Sequence, residues 1–120
     1  MNVLQVTPNG PWGKDVHPNM PVSMNEILAE LRRCFRAGAR GVHLHVRDGT
    51  GVETLDPSAV NETGRRVREA AAEIELSIEI GLTTGAWIAP DVAARVAMIR
   101  EWEGVGCATV NLSENGFALV

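Results

Sequence analysis

Three helix starts, each following an extended apolar stretch, restrict this chain to an alternating strand–helix architecture. Ser23 with Glu26 three residues on forms an S-x-x-E capping box. Behind it Ile27, Leu28, Leu31, Cys34 and Phe35 recur at helical spacing, and Gly38 stands where a helix C-terminus takes a glycine. Asp56-Pro57 reads as an N-cap followed by proline in the first turn, opening a second helix to about residue 72. Pro90-Asp91 opens a third, with Val92, Val96, Ile99 and Trp102 on its inner face. Between the helices lie four extended stretches, expected at residues 3–7, 41–47, 76–82 and 108–112. No tight hairpin signal joins any two of them, so the strands are expected to run parallel, with right-handed helical crossovers.

Each strand carries two distinct faces, because residues i and i+2 project to the same side. Leu4 and Val6 oppose Gln5, Thr7 and Asn9; Val42, Leu44 and Val46 oppose His43, His45 and Arg47. Ile78 and Ile80 oppose Ser77 and Glu79, and Val110 and Leu112 oppose Thr109 and Asn111. The apolar faces suit a layer of helices, whereas the polar residues collect toward the C-terminal strand ends, where parallel α/β folds place their ligands. The fold class is therefore α/β, with parallel (β/α) units of a TIM-type barrel, about four of eight present. Residues 1–120 read as one domain, the N-terminal half of such a barrel. Four strands alone leave a polar face and two edges uncovered, so the chain is expected either to associate with further copies or to form part of something longer.

The sharpest local signal is "GVHLHVRDG", residues 41–49. It uses two of the chain's three histidines at alternate strand positions. His43 and His45 then stand side by side, as metal-ligating imidazoles do, although catalytic zinc takes three protein ligands and an open position. Glu79 on the next strand is a candidate third carboxylate, equally readable as a partner of Arg47 or as a solvated residue. Asp48 reads either as an acceptor orienting one imidazole or as the cap of the following turn. Asn9, in the loop "TPNGPWGK", is a candidate anchor for a substrate carboxylate. So is the turn "GLTTGAW", where the Thr83 and Thr84 hydroxyls and nearby N–H groups could receive an anion. His17-Pro18 reads as structural, and Arg65, Arg66 and Arg68 as a solvated helix face.

Composition narrows the setting. The net charge is −4 and the pI about 5.3, which argues against a nucleic-acid surface. No apolar run reaches membrane-spanning length, and the N-terminus lacks the features of a signal peptide. Cys34 and Cys107 match no metal or redox motif and are expected to be buried free thiols of a cytoplasmic protein.

The segments "PNGPWGKDVHPNMPVS", "AGARGVHLHVRDGTGVETLD", "GLTTGAWI" and "ATVNLSENG" occur in order along the whole chain. Together they resemble the β-keto acid cleavage enzyme family, whose first described member cleaves 3-keto-5-aminohexanoate in lysine fermentation. The resemblance implies a zinc-dependent (β/α)8 barrel that condenses a β-keto acid with acetyl-CoA, giving acetoacetyl-CoA and a second product. It implies Zn2+ on His43 and His45, with Asn9, Thr84, Thr109 and Asn111 in substrate-contacting strand ends and Glu114 a less certain contact. In the family the third metal ligand, a glutamate, and the catalytic arginine and aspartate belong to the second half of the barrel, so no catalytic residue is assigned here. Two further readings remain open: an inactive half-barrel that acts only in an assembly, and an amidohydrolase-type metal hydrolase, which also uses an H-x-H pair. The partners expected are these two substrates and further copies of the chain in a homo-oligomer, with neither nucleic acid nor membrane involved.

Overall fold

In the computed structural model, which describes residues 3–114, the chain forms a four-stranded sheet with three helices. The order is β1 (Gln5–Val6), α1 (Met24–Arg36), β2 (Gly41–Leu44), α2 (Pro57–Ala72), β3 (Glu79–Leu82), α3 (Val92–Arg100) and β4 (Cys107–Ala108), with a 3-10 turn at Leu112–Glu114. The strands lie side by side in sequence order, and every neighbouring pair is parallel. This is the arrangement of consecutive β/α units in a TIM-type barrel.

The helix boundaries follow the local chemistry. Ser23 accepts from the Glu26 N–H while the Glu26 carboxylate receives the Ser23 N–H, closing the capping box. At the other end of α1, Gly38 adopts a left-handed φ of 113°. There the Gly38 N–H reaches the Phe35 carbonyl and the Ala39 N–H reaches Cys34, a Schellman closure. Asp56 and Asp91 cap α2 and α3.

The core lies between the sheet and the first two helices. Val42, Leu44 and Val46 project from β2 and its extension onto Ile27, Leu28, Leu31 and Phe35 of α1 and onto Val60, Val67, Ala70 and Ala71 of α2, with Ile80 and Leu82 beside them. All of these are buried, so β2 and β3 carry the packing.

Both outer strands are shorter than their apolar patterns imply. Pro8 has no N–H to extend a ladder, so β1 ends at Val6, and Leu4 at this edge is exposed. β4 ends at Ala108, and Leu112, expected to face the helices, is 72% exposed in the 3-10 turn. The cause is visible in the turn itself: the Glu114 carboxylate receives the Ala86 N–H, and its carbonyl receives the Arg95 guanidinium. Those bonds fold the chain back over the loop between β3 and α3. The inner face of α3 also differs from its pattern. Val92, Val96 and Ile99 are only half-buried, and the one fully buried side chain is Arg95, which donates to the Ala89 and Glu114 carbonyls.

Candidate functional site

The site is built from β2 upward. Its main chain alternates buried Val42, Leu44 and Val46 with His43 and His45, so both imidazoles stand on the face turned away from the helices. Their ring centroids are 5.6 Å apart, with the rings near perpendicular. Two imidazoles bound to one zinc ion at about 2.0–2.1 Å hold their centroids roughly 5 Å apart, so the spacing suits a shared ion. No other described side chain hydrogen-bonds His43. Its pKa is lowered first by burial and second by the neighbouring His45, and the neutral ring this favours is the form in which imidazole coordinates metals.

His45 is held more closely. Asn9 fixes its main chain from β1's extension: the Asn9 amide donates to the His45 carbonyl at 2.9 Å and receives the His45 N–H at 3.2 Å. Asn9 is thereby committed to the strand end, and both ends of its amide are occupied. The His45 ring bonds through Nδ1 to the Glu53 carboxylate at 2.6 Å. That leaves Nε2 as the nitrogen available to a metal, in the arrangement by which a carboxylate commonly orients a ligating histidine. The other Glu53 oxygen receives the Trp87 indole N–H at 2.9 Å, and the indole stacks on the His45 ring at 6.3 Å.

Glu53 was not among the residues singled out by sequence. Its signal lay in "RDGTGVE", where two glycines in three positions mark a reversal. Asp48 closes that turn by accepting from the Thr50 N–H and hydroxyl and from the Val52 N–H, and Glu53 comes back antiparallel to Arg47. Of the two readings of Asp48 the turn cap is the one realised. These bonds hold its carboxyl below the usual range, the Thr50 hydroxyl contributing most.

Glu79 is not at the histidines. It pairs with Gly41 at the start of β3, whereas His43 pairs with Gly81, so Glu79 sits at the opposite end of the sheet and is solvated. Nor does it meet Arg47, which donates instead to the carbonyls of Gly10, Trp12 and Gly51 and ties together the loops after β1 and β2. The thiols also differ from expectation: Cys34 is half-buried and Cys107 exposed, because nothing among the described residues covers the outer side of β4. Burial raises the pKa of both, with Glu79 adding to the effect at Cys107.

The third strand end contributes a buried turn. Thr83 and Thr84 are both buried; the Thr84 hydroxyl donates to the Thr109 carbonyl, and the Thr83 hydroxyl receives the Gly85 N–H. Thr109 and Asn111 are exposed beyond β4, and of the residues named as substrate contacts these two make no side-chain hydrogen bond to a described residue, while Asn9 and Thr84 are engaged internally. A cleft of about 590 Å³ between the start of α1, α2 and the turn after β2 includes Lys14, Arg47 and Arg66 among its lining residues and neither histidine. Among the described residues no group of three or more His, Cys, Asp and Glu side chains could hold a metal ion. No described helix is long and apolar enough to cross a membrane.

Comparison with known proteins places this chain in a family. Residues 2–119 match the model of the beta-keto acid cleavage enzyme family. Two curated relatives, 3-keto-5-aminohexanoate cleavage enzymes of Fusobacterium nucleatum and Acetoanaerobium sticklandii, are each 29% identical to this chain over 72 residues. The aligned stretch is 60% of this chain and 26% of each relative's length.

Proposed function

The chain belongs to the β-keto acid cleavage enzyme family, and on that premise we propose that it carries the zinc-binding pair of a site that condenses a β-keto acid with acetyl-CoA. Attack of the β-keto acid's α-carbon on the acetyl thioester expels CoA, and addition of that CoA to the β-keto carbonyl breaks the old Cα–Cβ bond. The balanced products are therefore acetoacetate and a new acyl-CoA, not the acetoacetyl-CoA expected from the resemblance. The observation that supports this reading is the placement of His43 and His45 on one face of β2, with ring centroids 5.6 Å apart and Nδ1 of His45 taken by Glu53. Zinc, when bound, supplies Lewis-acid polarisation of the β-keto carbonyl.

The chain's own residues do the positioning. Asn9 locks the main chain of His45, and the Glu53 carboxylate engages its Nδ1. Thr84 braces the β3 strand end against Thr109, which keeps the exposed Thr109 and Asn111 side chains at the same end of the sheet as the histidines. Those two side chains are the ones we assign to substrate.

The test begins with metal content. Elemental analysis of the purified chain beside a His43→Ala/His45→Ala variant should show zinc that disappears in the variant. Equal zinc in the two would sink the assignment of the pair. Formation of acetoacetate and a new acyl-CoA from acetyl-CoA and a panel of β-keto acids then tests the reaction, in the same preparation and as a function of protein concentration. The concentration series separates a site completed within one chain from one completed by assembly.

A further inference from the structure

Glu53 joins two side chains that the sequence keeps apart, His45 and Trp87. One oxygen is 2.6 Å from His45 Nδ1; the other receives the indole N–H of Trp87 at 2.9 Å; and the indole plane lies 19° from that of the His45 ring. Both members of the Glu53–His45 pair are nearly buried, their side chains 12% and 10% exposed. Trp87 reaches this position by folding back over Gly85, where a Cβ would stand 2.3 Å from the indole carbons. No larger residue at 85 leaves room for that path.

We propose that Glu53 and Trp87 are positioning residues of the histidine pair: Trp87, carried by the loop after β3, aims the Glu53 carboxylate, and Glu53 in turn holds the proton of His45 on Nδ1 and leaves Nε2 bare. The metal role of the pair rests on the function proposed above; the hydrogen-bond relay does not. Its logic follows from donors and acceptors. The indole N–H can only donate, so the group facing it must accept. A carboxylate has an acceptor to spare on each side and can receive the indole N–H and Nδ1–H together. An amide cannot. In Glu53→Gln the amide oxygen must face the indole, the NH2 then faces Nδ1, and the ring proton is driven to Nε2, blocking the nitrogen a metal would use. Replacing Trp87 as well frees the amide to turn over, present its oxygen to Nδ1–H and bare Nε2 again. A second substitution at the site should therefore repair the first.

The experiment reads the His45 tautomer by nitrogen NMR in the full chain at about pH 8.5, roughly two units above the ordinary imidazole value. Cobalt(II) affinity is measured in parallel by its visible absorption. The wild-type chain and Trp87→Phe should carry the proton on Nδ1. Glu53→Gln should carry it on Nε2 and bind cobalt about 10–100-fold more weakly. Glu53→Gln/Trp87→Phe should return it to Nδ1 and recover about tenfold of the affinity, the scale expected for restoring one such outer partner. A proton on Nε2 in the wild-type chain overturns the proposal whatever the variants do. So does a double variant with the tautomer of Glu53→Gln, since simple loosening of the site has no reason to reverse. The expected tautomers in a wild-type chain that takes up no metal would support the relay and sink only the metal reading.

Discussion

Replacing Asn9 by alanine removes a side chain whose two bonds both end on the His45 main chain. Asn9 is 3% exposed and His45 8%, so the N–H and carbonyl of His45 would be left without partners and largely out of reach of water. Each orphaned group costs about 1–3 kcal/mol, while releasing the amide from its fixed rotamer returns about 1 kcal/mol. The net loss is about 1–5 kcal/mol, centred near 3. With a urea dependence of about 2 kcal/mol per molar for a chain of this size, the unfolding midpoint should fall by roughly 1.5 M at unchanged slope. Asn9→Asp tests the same bonds differently, because it keeps an acceptor for the His45 N–H but sets a carboxylate oxygen against the His45 carbonyl. It should lose a comparable amount. Midpoints within about 0.3 M of the parent for both variants would refute the argument, since such a shift is worth only about 0.6 kcal/mol on the same slope. That result would return Asn9 to the role of a substrate anchor, whose loss weakens substrate binding and leaves the fold alone.

Three further outcomes are expected. Leu31→Ala empties a wholly buried position between α1 and the sheet and should cost about 2–5 kcal/mol in chemical denaturation. Gly85→Ala sets a methyl group into the Trp87 ring, so the indole must leave His45. Trp87 should then lose its protected indole N–H signal in hydrogen exchange, at a stability cost of about 1–3 kcal/mol. Lys14, the Ser23 N–H and the Val22 N–H lower the Glu26 carboxyl from 4.5 to about 2. A depressed carboxyl stabilises the fold above its unfolded value, and that contribution is lost as pH falls from about 4.5 toward 2. The melting temperature should therefore drop across that window and drop less in Glu26→Gln, which no longer titrates there.

The helices were legible because their signals are local. The capping box at Ser23, the glycine after α1 and the Asp-Pro pair before α2 each act within four residues, and all three fell where expected. Strand lengths were less legible, because a strand is defined by its neighbours. The apolar alternation through Leu112 described a strand, but Glu114 and Arg95 draw that segment into a turn, and neither bond can be read from alternation. Arg95 itself occupies a position where helical periodicity shows nothing apolar. Its burial comes from two carbonyls on separate loops, Ala89 and Glu114.

The same division runs through the site. His43 and His45 were found because a strand's period of two fixes their shared face without reference to anything distant. For a carboxylate beside them the sequence offers Glu79 on the neighbouring strand, since lateral neighbours in a sheet are the obvious source of a third group. Register decides against it. With Gly41 paired to Glu79, the carboxylate lies four residues along the strand from His45, about 13 Å at the rise of a parallel strand. The group that does reach the ring comes instead from the same loop, eight residues on, because the turn from Asp48 to Gly51 returns the chain antiparallel to its own strand. A strand end that bends back in this way supplies its own outer partner, so the orientation of His45 is set within one β/α unit and held by a tryptophan from the next.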